Sequence, residues 1–277
     1  MSTSGRLTKL YEETEHVFYD RDDRYVVMSD CHRGIGDSGD NFLKNRNIFL
    51  AALRYYNQKK FTYVELGDGD ELWENKEMKD IIQVHREVYE MMEKFYKEGR
   101  LYMLYGNHDI QKRKEMLFPG LKVKEGVVLE ECGTGRRIFL VHGHQGDLFN
   151  DALWRVNRFL VRYVWRKLEL LGFENPMSTS GNGKKKTKVE QRLKQWADDN
   201  HQIMIAGHTH RTKFSADARS FYFNDGSCVG PHSVTAIEIE DGMLRLVEWG
   251  VMTKKDYSMY IGRKLLEEVR LERFEYK

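Results

Sequence analysis

Five times along the chain, a short apolar run ends abruptly in Gly, Asp, Asn or His. Leu101-Tyr102-Met103-Leu104-Tyr105 runs into Gly106-Asn107-His108-Asp109, and Val26-Val27-Met28 into Ser29-Asp30-Cys31-His32. Phe61-Thr62-Tyr63-Val64-Glu65-Leu66 ends in Gly67-Asp68, Ile138-Phe139-Leu140-Val141 in His142-Gly143-His144, and Ile203-Met204-Ile205-Ala206 in Gly207-His208-Thr209-His210. Runs of this length and composition read as buried strands. In an α/β sheet the carboxyl ends of the strands are where sites are built. A chain that repeats the pattern is therefore constrained to a sheet architecture with its chemistry gathered along one edge.

At 277 residues, 40% of them hydrophobic, the chain can form a single domain (1–277) carrying an insertion. Between the apolar runs lie helical patterns. Leu7 to His16 suits a short helix, and Asp40 is an N-cap for a helix through about Tyr56. A long helix is expected over roughly Met78 to Glu98, with Ile81, Val84, Val88, Met91, Met92 and Phe95 at helical spacing. Alternating strands and helices indicate a parallel-rich sheet in the first half. After Leu121 the runs shorten. Phe221-Tyr222-Phe223, Val234 to Ile239 and Met243 to Val247 look hairpin-like, with Asp241-Gly242 as a two-residue turn. The second half thus points to a two-sheet sandwich. The charged tail from about Lys255 to Glu275 is expected to be helical.

The segment between His142 and His208 reads as a helical insertion, 147–200, over the strand ends. An apolar stripe from about Asp147 to Leu171 is opposed by Arg155, Arg158, Arg162 and Arg166 at spacings of three and four. A loop-forming stretch, Asn175 to Lys186, and a further helix over roughly Lys188 to Asn200 follow. The arginine face is either a solvated helix surface or an electropositive lid for an anionic substrate, acidic partner or membrane surface.

Asp30, His32, Asp68, Asn107, His142, His208 and His210 make a set of seven oxygen and nitrogen donors without a thiolate. Asp30 and His32 stand two residues apart, as do His208 and His210, so each pair can share a face of an extended segment. Carboxylate and imidazole suit manganese, iron or zinc. The set is too large for one ion with open positions, but fits two divalent ions sharing a bridging carboxylate, for which Asp68 is the choice. A dinuclear centre hydrolyses esters: a metal-bridging hydroxide attacks, and the ions polarise the group under attack. His108 is free to protonate a leaving oxygen, with Asp109 orienting it.

Asp30-x-His32, Gly67-Asp68-x-x-Glu71, Gly106-Asn107-His108-Asp109, His142-Gly143-His144 and Gly207-His208-Thr209-His210 resemble, in order, the motifs of the calcineurin-like metallophosphoesterases. The resemblance runs from about residue 25 to 240. It implies a four-layer αββα sandwich, with Asp30, His32 and His210 on one metal, Asn107, His142 and His208 on the other, Asp68 between them and His108 as acid. Manganese is the first expectation for the ions. Within the family, Gly67-Asp68-x-x-Glu71-x-Trp73 and the insertion after His142 are similar to the bacterial UDP-2,3-diacylglucosamine hydrolases. That group typically carries Arg where His108 stands and Asp where His144 stands; His108 favours a more general phosphomonoesterase or phosphodiesterase. The alternative to an enzyme is a metal-bound scaffold that holds partners through the insertion.

Lys+Arg of 45 against Asp+Glu of 43 gives no argument for a nucleic-acid partner. The partner expected is a phosphorylated substrate. The three cysteines, Cys31, Cys132 and Cys228, have no zinc or redox spacing, and no apolar stretch is long enough to span a bilayer, so a cytoplasmic protein with reduced thiols is expected. His16, His85, His201 and His232 are assigned no role in the site. Asn224-Asp225-Gly226-Ser227 is either a simple turn or part of the pocket lining.

Overall fold

The computed structural model describes residues 2–114, 117–146 and 183–275. Among them the elements are α1 Thr3–Glu13, β1 His16–Tyr19, β2 Tyr25–Met28, α2 Arg46–Gln58, β3 Thr62–Leu66, α3 Met78–Val84, α4 Arg86–Lys97 and β4 Leu101–Leu104. Then come β5 Gly126–Glu131, β6 Arg137–Val141, α5 Gly183–Asp199, β7 Ile203–Ala206, β8 Tyr222–Asn224, β9 Ser233–Glu240, β10 Met243–Thr253 and β11 Met259–Arg270. Arg155, Arg158, Arg162 and Arg166, with most of the expected insertion, lie outside the described residues; its last helix is α5.

The strands form a five-stranded sheet, β1-β5-β6-β7-β8, and a six-stranded sheet, β11-β10-β9-β2-β3-β4. Strands β2, β3 and β4 are mutually parallel, as are β6, β7 and β8. Side chains alternate across each strand, which explains the unbroken apolar runs: both faces are covered. Val27, Val64, Leu66, Leu140, Ile205 and Ile237 face inward and pack the two sheets together. Val26, Met28 and Tyr63 face outward beneath α2 and α4, meeting Phe49, Leu53, Met92 and Phe95. On the far side, Phe139, Val141 and Met204 pack under α1 and α5, against Leu7, Leu10, Leu193 and Trp196. Helix, sheet, sheet, helix is the four-layer order implied by the motifs.

Several boundaries depart from sequence expectation. Asp40 does cap, accepting the Leu43 N–H at 3.2 Å, but it starts a short 3-10 turn, Asn41–Lys44. Helix α2 begins only after Asn45, whose side-chain amide donates to the Cys228, Gly230 and Ser233 carbonyls. The helix expected over Met78 to Glu98 is broken at buried His85, which leans onto Asp40 at 2.8 Å. Strand β8 is no hairpin partner; it pairs parallel to β7 at a sheet edge. Asp241 and Gly242, with φ of 54° and 70°, make the expected β9–β10 turn.

The tail is strand rather than helix. β11 pairs along the whole of β10, with Leu246 opposite Glu267 and Val247 opposite Leu265. Leu266 is the extra residue of a β-bulge, which breaks the period-two alternation that would have betrayed a strand.

A buried relay ties this antiparallel end to α2. The Trp249 indole donates to Tyr56 Oη at 2.9 Å, Tyr56 donates to Glu238 Oε1 at 2.8 Å, and Arg263 Nε reaches the same oxygen at 2.7 Å. Tyr56→Phe leaves the Trp249 N–H buried without an acceptor, and should cost about 1–3 kcal/mol, seen as a lower urea midpoint at unchanged slope.

Candidate metal centre

The parallel pairing of β2 and β3 continues beyond the strands as a lacing between their loops. Asp30 N donates to Gly67 O at 3.1 Å, His32 N to Asp68 O at 2.9 Å, Arg33 N to Gly69 O at 3.0 Å, and Glu71 N returns to Arg33 O at 3.0 Å. On the other sheet, Gly207 N donates to His142 O at 2.9 Å. Asp30, His32, Asp68, His208 and His210 all sit in the left-handed region, with φ of 53°, 47°, 49°, 68° and 55°. Non-glycine residues rarely accept that conformation, and clusters of it mark sites where the surroundings over-determine the backbone. The two-residue pairing of Asp30 with His32 is thus made by left-handed turns, not by an extended strand. Gly106 is required beside them, because a Cβ there would lie 2.2 Å from Asp68 Oδ1 and 2.6 Å from the His142 ring.

These turns bring the expected residues together. Asp30 Oδ1 lies 3.0 Å from His210 Nε2 and 3.6 Å from His32 Nε2, and the two imidazole nitrogens are 3.2 Å apart. Asp68, His142 and His208 form a second triad. Asp68 Oδ2 is 3.1 Å from His142 Nε2 and 3.9 Å from His32 Nε2, so it stands between the two groups. Its other oxygen accepts the His108 N–H at 2.8 Å. His142 is fixed by Nδ1, which donates to Leu66 O at 2.9 Å and so aims Nε2 at Asp68.

The donor set fits hard or borderline divalent cations. Both side-chain amide atoms of fully buried Asn107 and the Oδ1 of Asp30 have no hydrogen-bond partner. Such atoms are costly to bury, and a cation would offset that cost for the two oxygens, Asn107 Oδ1 and Asp30 Oδ1. Cys31, between Asp30 and His32, is buried in the core behind α2 and takes no part.

Burial disfavours ionisation at each of these groups, but at Asp30 and His142 the facing charges outweigh it. His210, ahead of His142, holds the Asp30 carboxyl well below the usual carboxylate range despite burial. Burial lowers the His142 pKa, but Asp68 and then Asp30 push it up to about 9. Asp225, buried behind Ser29, goes the other way: burial, then the charge of Asp30, raises its carboxyl well above the ordinary value.

Glu71 holds a role that the motif alone did not assign. Its carboxylate accepts from His32 Nδ1 and from His108 Nδ1, each at 2.8 Å, linking the two imidazoles. The Trp73 indole stacks on His108, centroids 4.1 Å apart at 19°, and donates to Asn107 O at 2.6 Å. Burial would lower the His108 pKa, but Glu71 and then Asp68 raise it, so the ring keeps its proton more firmly than a free histidine.

Asp109 does not orient His108. Its carboxylate is turned beneath the loops, where it accepts the backbone N–H groups of Gly106 at 2.7 Å, Asp68 at 3.2 Å, Gly69 at 3.0 Å and Asp70 at 3.4 Å. Burial pushes its pKa up, and Lys112 Nζ, 2.8 Å away, recovers only part of that. Lys112 also meets Asp70 at 2.5 Å and Glu65 at 3.2 Å, while Arg33 pairs with Glu65 and Asp70, each at 2.7 Å. Glu65, Asp70 and Asp109 are the one acidic triad of the described residues whose charge is already met by side-chain cations rather than histidines. His144 is buried beside His142, rings 5.6 Å apart, outside both ligand triads; burial and His142 hold its pKa well below the ordinary value.

A model of the calcineurin-like phosphoesterase superfamily domain matches residues 24–242, and the chain belongs to that superfamily. No curated protein matches it. Among solved structures it is similar to Vacuolar Protein Sorting 29 from Cryptosporidium parvum, at 16% identity and a TM-score of 0.42, covering 88% of this chain and 98% of that one. It is also similar to the cold-active protein-tyrosine phosphatase of a psychrophilic Shewanella sp., at 14% identity and a TM-score of 0.38, covering 88% and 81%. Among the described residues no helix is long and apolar enough to cross a membrane.

The buried cations under the loops can be tested apart from any metal. Lys112→Met leaves three buried carboxylates facing one guanidinium and should lower the unfolding free energy by about 3–5 kcal/mol in urea titrations.

Proposed function

We propose that this phosphoesterase-superfamily chain is a dimetal-dependent phosphoester hydrolase. Asp30, His32 and His210 hold one divalent ion and Asn107, His142 and His208 the other. The observation that carries this reading is the position of Asp68 Oδ2, which faces His142 of one group at 3.1 Å and His32 of the other at 3.9 Å. Manganese, iron and zinc all suit these ligands. Bound there, the ions supply Lewis-acid activation of water and neutralise phosphate charge.

The chain's own residues do the rest. His108 is the general acid. Glu71 takes its Nδ1, leaving Nε2 to serve the leaving oxygen, and the carboxylate favours the protonated ring. Trp73 keeps the imidazole plane in place by stacking. Asp109 acts one step back, on the backbone that carries Asp68 and Asn107.

Metal-stripped protein refilled with Mn²⁺ should hydrolyse p-nitrophenyl phosphate or its bis-ester, and Asp68→Ala should abolish that gain while keeping the fold. His108→Ala should slow phenyl phosphate by about 10²–10⁴-fold, and the activated p-nitrophenyl ester far less, since only the poorer leaving group needs the proton. Wild-type turnover by folded Asp68→Ala sinks the reading. Two ions bound with no turnover of any phosphoester or pyrophosphate-linked nucleotide would leave a metal-bound scaffold instead.

A further inference from the structure

Behind Asp30 lies a short polar chain that the proposed reaction does not use. Ser29, Asp30 and Asp225 are fully buried. Ser29 Oγ stands 2.5 Å from Asp30 Oδ2 and 2.8 Å from Asp225 Oδ1. Asp30 Oδ2 also accepts the His208 backbone N–H at 2.8 Å. One oxygen of Asp30 is therefore occupied twice by the protein, and Oδ1 alone faces His210 and His32.

A serine hydroxyl has one hydrogen to give. Donated to Asp30, it leaves Ser29 Oγ as an acceptor, and the Asp225 contact is then a hydrogen bond only with Asp225 as donor. The carboxylic acid form of Asp225 satisfies the whole chain: Asp225 donates to Ser29, and Ser29 donates to Asp30. It also explains why Asp225 Oδ2 has no partner, since a buried neutral carbonyl oxygen is cheaper to leave unpaired than half of a carboxylate. The surrounding backbone is shaped to the contact. A Cβ at Gly207 would lie 2.2 Å from Ser29 Oγ and 2.7 Å from Asp30 Oδ2. The loop bearing Asp225 is tied on both sides, by Asp225 N to Ala206 O at 3.0 Å and Cys228 N to Asp30 O at 3.3 Å.

We propose that Asp225 is a positioning residue for one of the two ions, acting through the Ser29 hydroxyl to fix Asp30 as a single-oxygen ligand. This rests on reading Asp30, His32 and His210 as ligands. A carboxylate free to rotate can offer either oxygen or both; one pinned at Oδ2 offers only Oδ1. Loss of the pin should weaken the ion held by Asp30 and spare the ion held by Asn107, His142 and His208.

The test is Mn²⁺ binding to the metal-stripped full chain, followed by electron paramagnetic resonance, which separates a coupled Mn pair from a lone ion. Wild type should fill both positions. Asp225→Ala should need about 10–100-fold more Mn²⁺ to fill one position, with the other unchanged. Asp225→Asn, whose amide can donate to Ser29, should bind both ions as wild type does. Should Asp225→Ala fail to fold, Ser29→Ala removes the same chain at its middle and should reproduce the one-ion loss. The proposal is overturned if the alanine variants bind both ions normally, if they weaken both positions equally, or if Asp225→Asn behaves like Asp225→Ala. Failure of the ligand reading itself looks different: Asp30→Ala would then bind as much Mn²⁺ as wild type.

Discussion

The geometry of the centre hangs on a carboxylate that faces away from it. Asp109 gathers the N–H groups of Gly106, Asp68, Gly69 and Asp70, which belong to the loops after β3 and β4. A single acceptor thereby fixes two strand ends relative to each other, and with them Asp68 and Asn107. Lys112 and Arg33 supply the countercharge from below. Buried ion pairs of this kind are weak evidence for stability, since desolvation consumes most of the Coulomb gain. Here they hold a loop geometry that ordinary strand pairing does not reach, and they do so without presenting a cation to the site.

Above that base, positions are set by second partners. Leu66 O takes one nitrogen of His142, Glu71 takes one nitrogen each of His32 and His108, and the His208 N–H takes one oxygen of Asp30. Each bond removes one of two possible presentations of a side chain, so the remaining atom points inward. Left-handed backbone at Asp30, His32, Asp68, His208 and His210 is the local strain that this convergence carries.

Much of this was legible in the sequence because the strands that matter are buried on both faces. Val26 to Met28, Ile138 to Val141 and Ile203 to Ala206 read as apolar runs, and the polar residues that end them stand out by contrast. All seven proposed ligands were readable for that reason. Legibility fell where tertiary partners decide local structure. The β11 strand hid behind the bulge at Leu266, the break at His85 follows from buried Asp40, and α2 starts late because Asn45 holds three distant carbonyls. Asp109 next to His108 invited the inference that neighbours in sequence cooperate, but the imidazole found its carboxylate at Glu71, 37 positions away. Asp225 stood in a stretch that read equally as a turn or as pocket lining, and its role behind Asp30 was not visible because its partner Ser29 lies 196 positions earlier in the chain.

The proposed ligands do not come from one sheet. Asp30, His32, Asp68 and Asn107 follow strands of the six-stranded sheet; His142, His208 and His210 follow strands of the five-stranded one. Each ion would take donors from both, across the top of the apolar layer formed by Val27, Val64, Leu140 and Ile205. Metal binding and sheet-on-sheet cohesion are then one thermodynamic quantity: the unfolded chain has no such convergence, so free metal concentration enters the folding equilibrium directly. A domain built this way would carry its ions as a clasp as well as a catalyst, and its resistance to unfolding would become a readout of the metal in its surroundings.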